Sequence, residues 1–416
     1  MPAKRSVRKA ADPESEEPTT WVGQMNQAID ELSETRTSTR EEALETLVNS
    51  FSCHYVPSHI EGRVEEVLAL LKRSLVKNNS TKEACLAARG IALVFVNLDT
   101  SESDLDDYYR RLLTNFRNII KDSEEIEIKL VCLQTLGLIS YIAASDIDKQ
   151  LVREYLFDLI ETDGAEFNTE VLDSQDCDRL FAEALRAYGV LFASSFTQGM
   201  VTFEVLWEEI EKVMPIHEML LESNDKDVRI ATGENIALMF EAANIFTQDD
   251  DDDDDEDGFD KPEYDNMDGL IHTLKDLSVD SNRRRNKSDR AEQKSVFRDI
   301  LKSVEENIKP VEELKIGGRT LSFRGWAKIL ALNSFRKTIS QGLQHHLKVN
   351  RMLQYMFHFS SSYSSRQQQD SDDSDQDDID TAGLSNVDRR YIYDENKKSR
   401  TKQIRHARIG KENQTY

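Results

Sequence analysis

The sequence predicts an all-α fold: an armadillo/HEAT-like α-solenoid, followed by a small, mostly helical C-terminal unit with one β-hairpin and a basic C-terminal helix. Three observations carry this. Related segments recur as STREEALETLVNSF from Ser38, STKEACLAARGIALVFV from Ser80, SEEIEIKLVCLQTLGLISYIA from Ser123, SQDCDRLFAEALRAYGVLFAS from Ser174 and NDKDVRIATGENIALMFE from Asn224. Their starts lie 42, 43, 51 and 50 residues apart, a spacing that suits stacked helix pairs. Each holds apolar residues at three- and four-residue intervals, as in Leu130, Leu133, Leu136 and Ile139, and that period is helical. Only 16 Gly and 7 Pro occur in 416 residues, too few for a turn-dense β fold.

Each repeat opens on Ser or Asn, whose side-chain oxygen can accept an unpaired N–H at a helix start, and acids follow in the first turn. Gly90, Gly137, Gly189 and Gly233 fall mid-helix in four of the five repeats. A helical glycine costs about 1 kcal/mol relative to alanine, so its recurrence at one place predicts close helix–helix approach. Between the repeats, Val64–Leu75, Leu105–Ile120, Leu151–Ile160 and Val205–Leu221 have amphipathic patterns of their own and supply the second member of each pair.

The boundaries follow from composition. Residues 1–21 read as a polar tail, 22–246 as the repeat domain and 247–266 as an acidic insertion containing nine consecutive acids at 249–257. Like charges with nothing apolar to bury predict disorder there. A short helix is expected over Met267–Leu277, and QKSVFRDILKSVEEN places Val296, Ile300 and Val304 on one helical face. Leu314 and Ile316 before Gly317-Gly318, with Leu321 and Phe323 after, give period-2 strands around a tight turn. Helices Gly325–Lys348 and Asn350–Phe359 complete a unit spanning 267–359. Residues 360–384 are a Ser/Gln/Asp linker, and 385–416 form the basic terminal segment.

Catalytic patterns are missing: no phosphate-binding loop, no G-x-G-x-x-G, no G-x-S-x-G and no H-E-x-x-H. His345 and His346 are adjacent, so their rings diverge on a helix, and both are expected on its surface. Cys53, Cys85, Cys132 and Cys177 are widely spaced, which predicts reduced thiols and neither a metal site nor a cofactor. The reading is therefore a non-enzymatic protein. No run of about 18 apolar residues stands out, so no membrane partner is expected. The basic first ten residues lack a following apolar stretch, which points to an intracellular protein.

The net charge is −25, of which the two acidic segments, 249–257 and 370–380, supply −16. Such a chain does not bind nucleic acid indiscriminately; phosphate affinity must come from a concentrated patch. Residues 397–411 provide one, with seven basic side chains and no acid. As a helix, Lys398, Lys402, Arg405 and Arg408 line one face, while Lys397, Arg400 and Lys411 broaden the cation. Arg389, Arg390 and Tyr391 stand where they could anchor its start, the tyrosine by stacking. Arg283, Arg284, Arg285 and Lys287 form a second basic patch, which fits nuclear import as well as RNA contact.

QKSVFRDILKSVEE (293–306) resembles the opening of the C-terminal region of the interferon-related developmental regulator family, and Trp326, Phe335, Gly342, Gln344-His345-His346-Leu347, Asn350 and Phe357 continue that pattern. TRTSTREEALETLVNSF resembles its helical-repeat domain, and KKSRTKQIRHARIGKE its terminal basic helix. The resemblance implies binding to ribosomes that are not translating, with the terminal helix occupying mRNA and tRNA space against rRNA and ribosomal proteins. It also implies an alternative role as a nuclear transcriptional co-regulator acting through chromatin and deacetylase complexes, for which the solenoid's concave face is the expected scaffold. The partners are thus the ribosome or chromatin-associated co-regulators. The expected location is the cytoplasm, with the nucleus left open by the Arg283–Arg285 cluster. Nothing in a capped linear array calls for a dimer, so a monomer is expected.

Overall fold

The computed structural model describes residues 20–358, apart from 78–79, 163, 166, 198–200, 249–263, 280–286 and 317. The acidic run, Arg283–Arg285, the Ser/Asp linker and the basic terminal segment therefore lie outside the described residues.

Helices come in pairs: α1 (Thr20–Glu31) with α2 (Thr37–Cys53), then, past the short α3 (Pro57–Ile60), α4 (Val64–Lys77) with α5 (Thr81–Asn97). Next are α6 (Glu102–Asp122) with α7 (Ile126–Ala143), α8 (Asp146–Glu161) with α9 (Ser174–Thr197), and α10 (Phe203–Leu220) with α11 (Lys226–Gln248). A further pair, α12 (Met267–Val279) with α13 (Lys287–Glu306), continues the stack beyond the acidic run. The insertion lengthens the interval, which is why the repeat spacing alone stops at five. The second helices form one row, α2–α5–α7–α9–α11–α13, each packed on the next. One continuous core results, from Met25 and Leu44 through Ile91, Leu136 and Leu191 to Phe297 and Ile300.

Of the mid-helix glycines, Gly137, Gly189 and Gly233 face the next helix of this row, while Gly90 faces Leu71 of α4. A Cβ at Gly137 would stand 2.8 Å from the Ala187 Cβ on α9, and one at Gly189 would stand 2.1 Å from Asn235 Oδ1 on α11. Close approach is thus the reason for the recurring glycine. By length and composition α7 is apolar enough to cross a bilayer, a feature that inspection for an unbroken apolar run overlooks. It lies instead in the middle of the row, with Leu133, Leu136 and Ile139 buried against α5 and α9.

The caps differ in detail from the expectation. Ser80 accepts from the Glu83 N–H at 3.4 Å, as its position predicts. Ser123 Oγ accepts from the Glu125 N–H at 3.2 Å, but before α9 and α11 an acid takes over: Asp173 Oδ1 accepts from the Asp176 N–H at 2.8 Å, and Asp225 Oδ1 from the N–H groups of Asp227 and Val228. Ser38 lies inside α2, which has no side-chain cap. A carboxylate is a stronger acceptor than a hydroxyl at the positive end of a helix, so the neighbouring Asp wins.

A second device recurs at the same place. Arg40 Nη1 donates to the carbonyls of Glu34 (3.0 Å) and Thr35 (2.6 Å), beyond the end of α1. Lys129 Nζ donates to those of Ile120 (2.6 Å) and Lys121 (3.0 Å) in the last turn of α6, and Arg229 to that of Ser223 after α10. Each is a cation early in a second helix that satisfies carbonyls left unpaired where the first helix ends. Arg40 also grips Glu83 of the next repeat through a fork of 2.7 and 2.8 Å, with the two side chains 2% and 0% exposed.

Beyond α13 come strands β1 (Val311–Ile316) and β2 (Arg319–Arg324), an antiparallel hairpin in which Leu314 pairs with Leu321 and Ile316 with Arg319. The predicted long helix 325–348 is broken into α14 (Trp326–Ile339) and α15 (Leu343–Val349) by a turn of 3-10 helix at Ser340–Gly342, where Ser340 takes φ +59°. The short α16 (Arg351–Met356) follows. Residues 326–349 do not form a body of their own. They turn back along the row of second helices, α14 meeting α11, α9, α7, α5 and α2, and α15 meeting α2. With 14 residues, α14 is about 21 Å long. Five helices side by side span about 32–40 Å on a flat layer, so the row curves around it.

Candidate functional site

The returning segment is a strap held at points along its length. At its start Gly325 takes φ +94°. The Trp326 backbone N–H donates to Glu241 Oε2 at 2.6 Å, and its indole N–H to Ser303 Oγ at 2.8 Å. Burial raises the Glu241 carboxyl above its ordinary value. Farther along, Lys337 pairs with the buried Glu183 of α9, and Gln134 of α7 donates to Thr338 Oγ1 at 3.1 Å. Arg89 of α5 donates to the Thr338 carbonyl and to Ser340 Oγ, both at 3.0 Å. The far end reaches the first repeats: Asn350 donates to the Val96 carbonyl at 2.8 Å, and Gly342 lies against Ser52.

His346 corrects the sequence expectation. His345 is exposed, but His346 is fully buried and bonded to the Phe51 carbonyl at 3.1 Å. A carbonyl only accepts, so Nε2 carries the proton. Burial lowers the imidazole to about 4, so it is neutral at pH 7. Trp21 stacks on His54 at 4.1 Å between ring centroids, and His345 meets His54 edge-on. The first helix pair and α15 thus share one aromatic seam.

Charge separates the strap from its bed. Residues 20–248 carry 41 Asp and Glu against 20 Lys and Arg, whereas 314–358 carry eight Lys and Arg and no acid. The sequence reading passed over this basic stretch because its cations are dispersed among apolar residues. Lys315, Arg319, Arg324, Lys348 and Arg351 are exposed on the folded strap and hairpin.

Two clefts lie among the described residues. One, of about 640 Å³, lies between the α7–α8 turn and the end of α16, with Leu105, Tyr141, Lys328, Tyr355 and Phe357 in its wall. The other, of about 360 Å³, lies between α8 and α10. In its wall Arg153 forks onto Glu209 with both bonds at 2.8 Å, and the Tyr188 hydroxyl donates to the same carboxylate at 2.8 Å. The carboxylate is thus engaged on both oxygens, and the hydroxyl of Ser195, also in this wall, is spent on the Phe192 carbonyl. Among the described residues no group of three or more His, Cys, Asp and Glu is placed to hold a metal ion.

Of the sequence-predicted site, Arg389, Arg390, Tyr391, Lys397, Lys398, Arg400, Lys402, Arg405, Arg408 and Lys411 lie outside the described residues, as do Arg283, Arg284 and Arg285. Lys287 is the first residue of α13.

Comparison with known proteins gives a consistent picture. The profile described as interferon-related developmental regulator matches residues 2–305, through the last helix pair and up to the hairpin. Interferon-related developmental regulator 1 of Mus musculus is 28% identical over 326 residues, covering 77% of this chain and 67% of that protein. Interferon-related developmental regulator 2 of the same species is 28% identical over 335 residues, 79% and 71% of the two chains. An uncharacterized protein of Schizosaccharomyces pombe is 26% identical over 393 residues, 89% of this chain and 83% of its own. Relatives bearing names as regulators, together with a match over most of a six-pair helical array, establish that the chain belongs to the interferon-related developmental regulator family.

Proposed function

We propose that the protein is a non-enzymatic ribosome-binding factor that associates with translationally inactive ribosomes, its basic terminal segment occupying mRNA and tRNA space and contacting rRNA. The observation that carries this reading is the charge of residues 397–411, seven cations and no acid, after a strap that itself has no acid from 314 to 358. A mostly acidic body repels phosphate, so an RNA partner must be met by these segments. The roles follow from side-chain chemistry: Lys397, Lys398, Arg400, Lys402, Arg405, Arg408 and Lys411 neutralise phosphates, and Tyr391 beside Arg389 and Arg390 stacks on a base. The twenty residues from Lys397 onward hold few apolar side chains to bury, so as a helix the segment draws its stability from its partner.

The alternative, a nuclear co-regulator scaffold working through the inner face of the solenoid, has less in its favour. The row of second helices that would form this face is occupied by residues 326–349 of the same chain. A protein partner would need another surface or would have to displace the strap.

The test is co-sedimentation of the full chain with vacant ribosomes across a salt series. Binding is expected to weaken steeply with salt and to lose its occlusion of the mRNA channel when 385–416 is deleted. A truncated chain that binds and blocks ribosomes as the full one does would overturn the reading.

A further inference from the structure

The hairpin carries three of the exposed cations of the basic region, Lys315, Arg319 and Arg324. Its register puts Val311, Glu313 and Lys315 on one face with Arg324, Ser322 and Thr320 as their cross-strand partners, and all six are exposed. The other face turns Ile316 and Phe323 into the core. Gly318, which precedes β2, is exposed at φ +83°, and a Cβ added there would meet nothing within 4 Å, so this end of the hairpin is its free tip. Arg319, also exposed, adjoins that tip. The outward face therefore carries Lys315 and Arg324 with the hydroxyls of Thr320 and Ser322, and Glu313 is its one acid, while Arg319, the partner of Ile316, stands beside the tip on the opposite face. Such donors bind phosphate oxygens without reading sequence. Their places are fixed by a two-stranded ladder anchored through Phe323, which packs edge-on against Phe357 at 5.1 Å.

We propose that this hairpin, through its outward face and its tip together, is a second RNA contact, a preformed clamp on a phosphodiester backbone that acts in addition to the basic terminal segment. It rests on the reading of the protein as an RNA-binding factor, but on residues of the folded body. Each phosphate neutralised contributes about 0.7–0.9 to the slope of log affinity against log salt, so three cations account for about 2 units of slope.

The experiment measures binding of the full chain to a fluorescent 20-base-pair RNA duplex by anisotropy, from low to physiological salt. The variant K315Q/R319Q/R324Q is expected to bind about tenfold more weakly, with the slope reduced by about 2. K315R/R319K/R324K keeps the charge and is expected to bind as the parent does. Parental affinity and slope for the Gln variant would overturn the proposal. So would equal weakening of both triple variants, which would make the loss structural, and so would competition by polyglutamate as effective as that by unlabelled RNA. Deletion of 385–416 separates this proposal from the reading it rests on. If the deletion leaves RNA affinity intact while the Gln variant loses it, the terminal segment fails and the hairpin stands; the reverse pattern removes the hairpin alone.

Discussion

Gly342 meets the backbone of Ser52 so closely that a Cβ added to it would stand 1.6 Å from the Ser52 carbonyl oxygen. The Gly342 backbone is ordinary right-handed helix, so contact and not conformation requires glycine here. The C-terminal strap and the end of α2 are pressed together with no room for a methyl group.

Gly342→Ala is therefore expected to lift the strap from the first repeats. Forcing a methyl group into a packed site costs about 1–3 kcal/mol, and here the opposing atoms are backbone. The loss should appear in urea denaturation, with faster proteolytic cleavage within 340–358 than in the parent.

The Arg40–Glu83 pair joins two repeats in the dry interior. Arg40→Met leaves the Glu83 carboxylate buried alone and should cost about 3–5 kcal/mol. The double variant Arg40→Met/Glu83→Leu removes both charges and should recover a large part of that loss. Equal instability of single and double variants in chemical denaturation would show that the carbonyls bonded by Arg40 matter more than the ion pair.

Two buried histidines make the fold acid-sensitive. His346 and His217 are each held near 4 by burial, whereas an unfolded histidine titrates near 6.5. A depressed folded value means that stability is intact above pH about 6.5 and is lost as the pH falls from there toward 4. Each histidine should remove about 2–3 kcal/mol across that window. His346→Asn should lower stability at pH 7.5 yet flatten the decline between pH 6.5 and 4.5. A variant whose decline parallels the parent would refute the assignment.

Lys129 donates to three carbonyls, of Ile120, Lys121 and Phe167, within 3.0 Å. Burial lowers its ammonium to about 8. Lys129→Met should leave those carbonyls unpaired at a cost of about 2–4 kcal/mol, read as a lower midpoint in thermal unfolding.

Local pattern made much of this architecture legible. The helical period located α4 to α11 within a few residues, the Gly-Gly pair between alternating apolar residues located the hairpin, and the recurring glycines announced tight packing between second helices. What escaped depends on partners far off in the chain. His346 looks like a surface residue until Phe51, 295 positions away, is set beside it. The ion pair of Arg40 with Glu83 spans 43 positions, and either residue alone resembles an ordinary charge on a helix. For the site, the charge count identified the terminal cations, but the hairpin cations went unnoticed because apolar residues separate them. That Lys315 and Arg324 share a face appears only once the strand register is known.

The end-to-end strap also bears on how the protein is made. Arrays of stacked pairs can form repeat by repeat as the polypeptide emerges, but here the earliest pair waits for a clasp near position 346. The 295 positions that separate Phe51 from His346 must be synthesised before that contact can close, and closing so long a loop is slow. Early repeats will spend their first moments with Phe51 and its neighbours uncovered, which makes the nascent protein a client for chaperones until the last helices arrive.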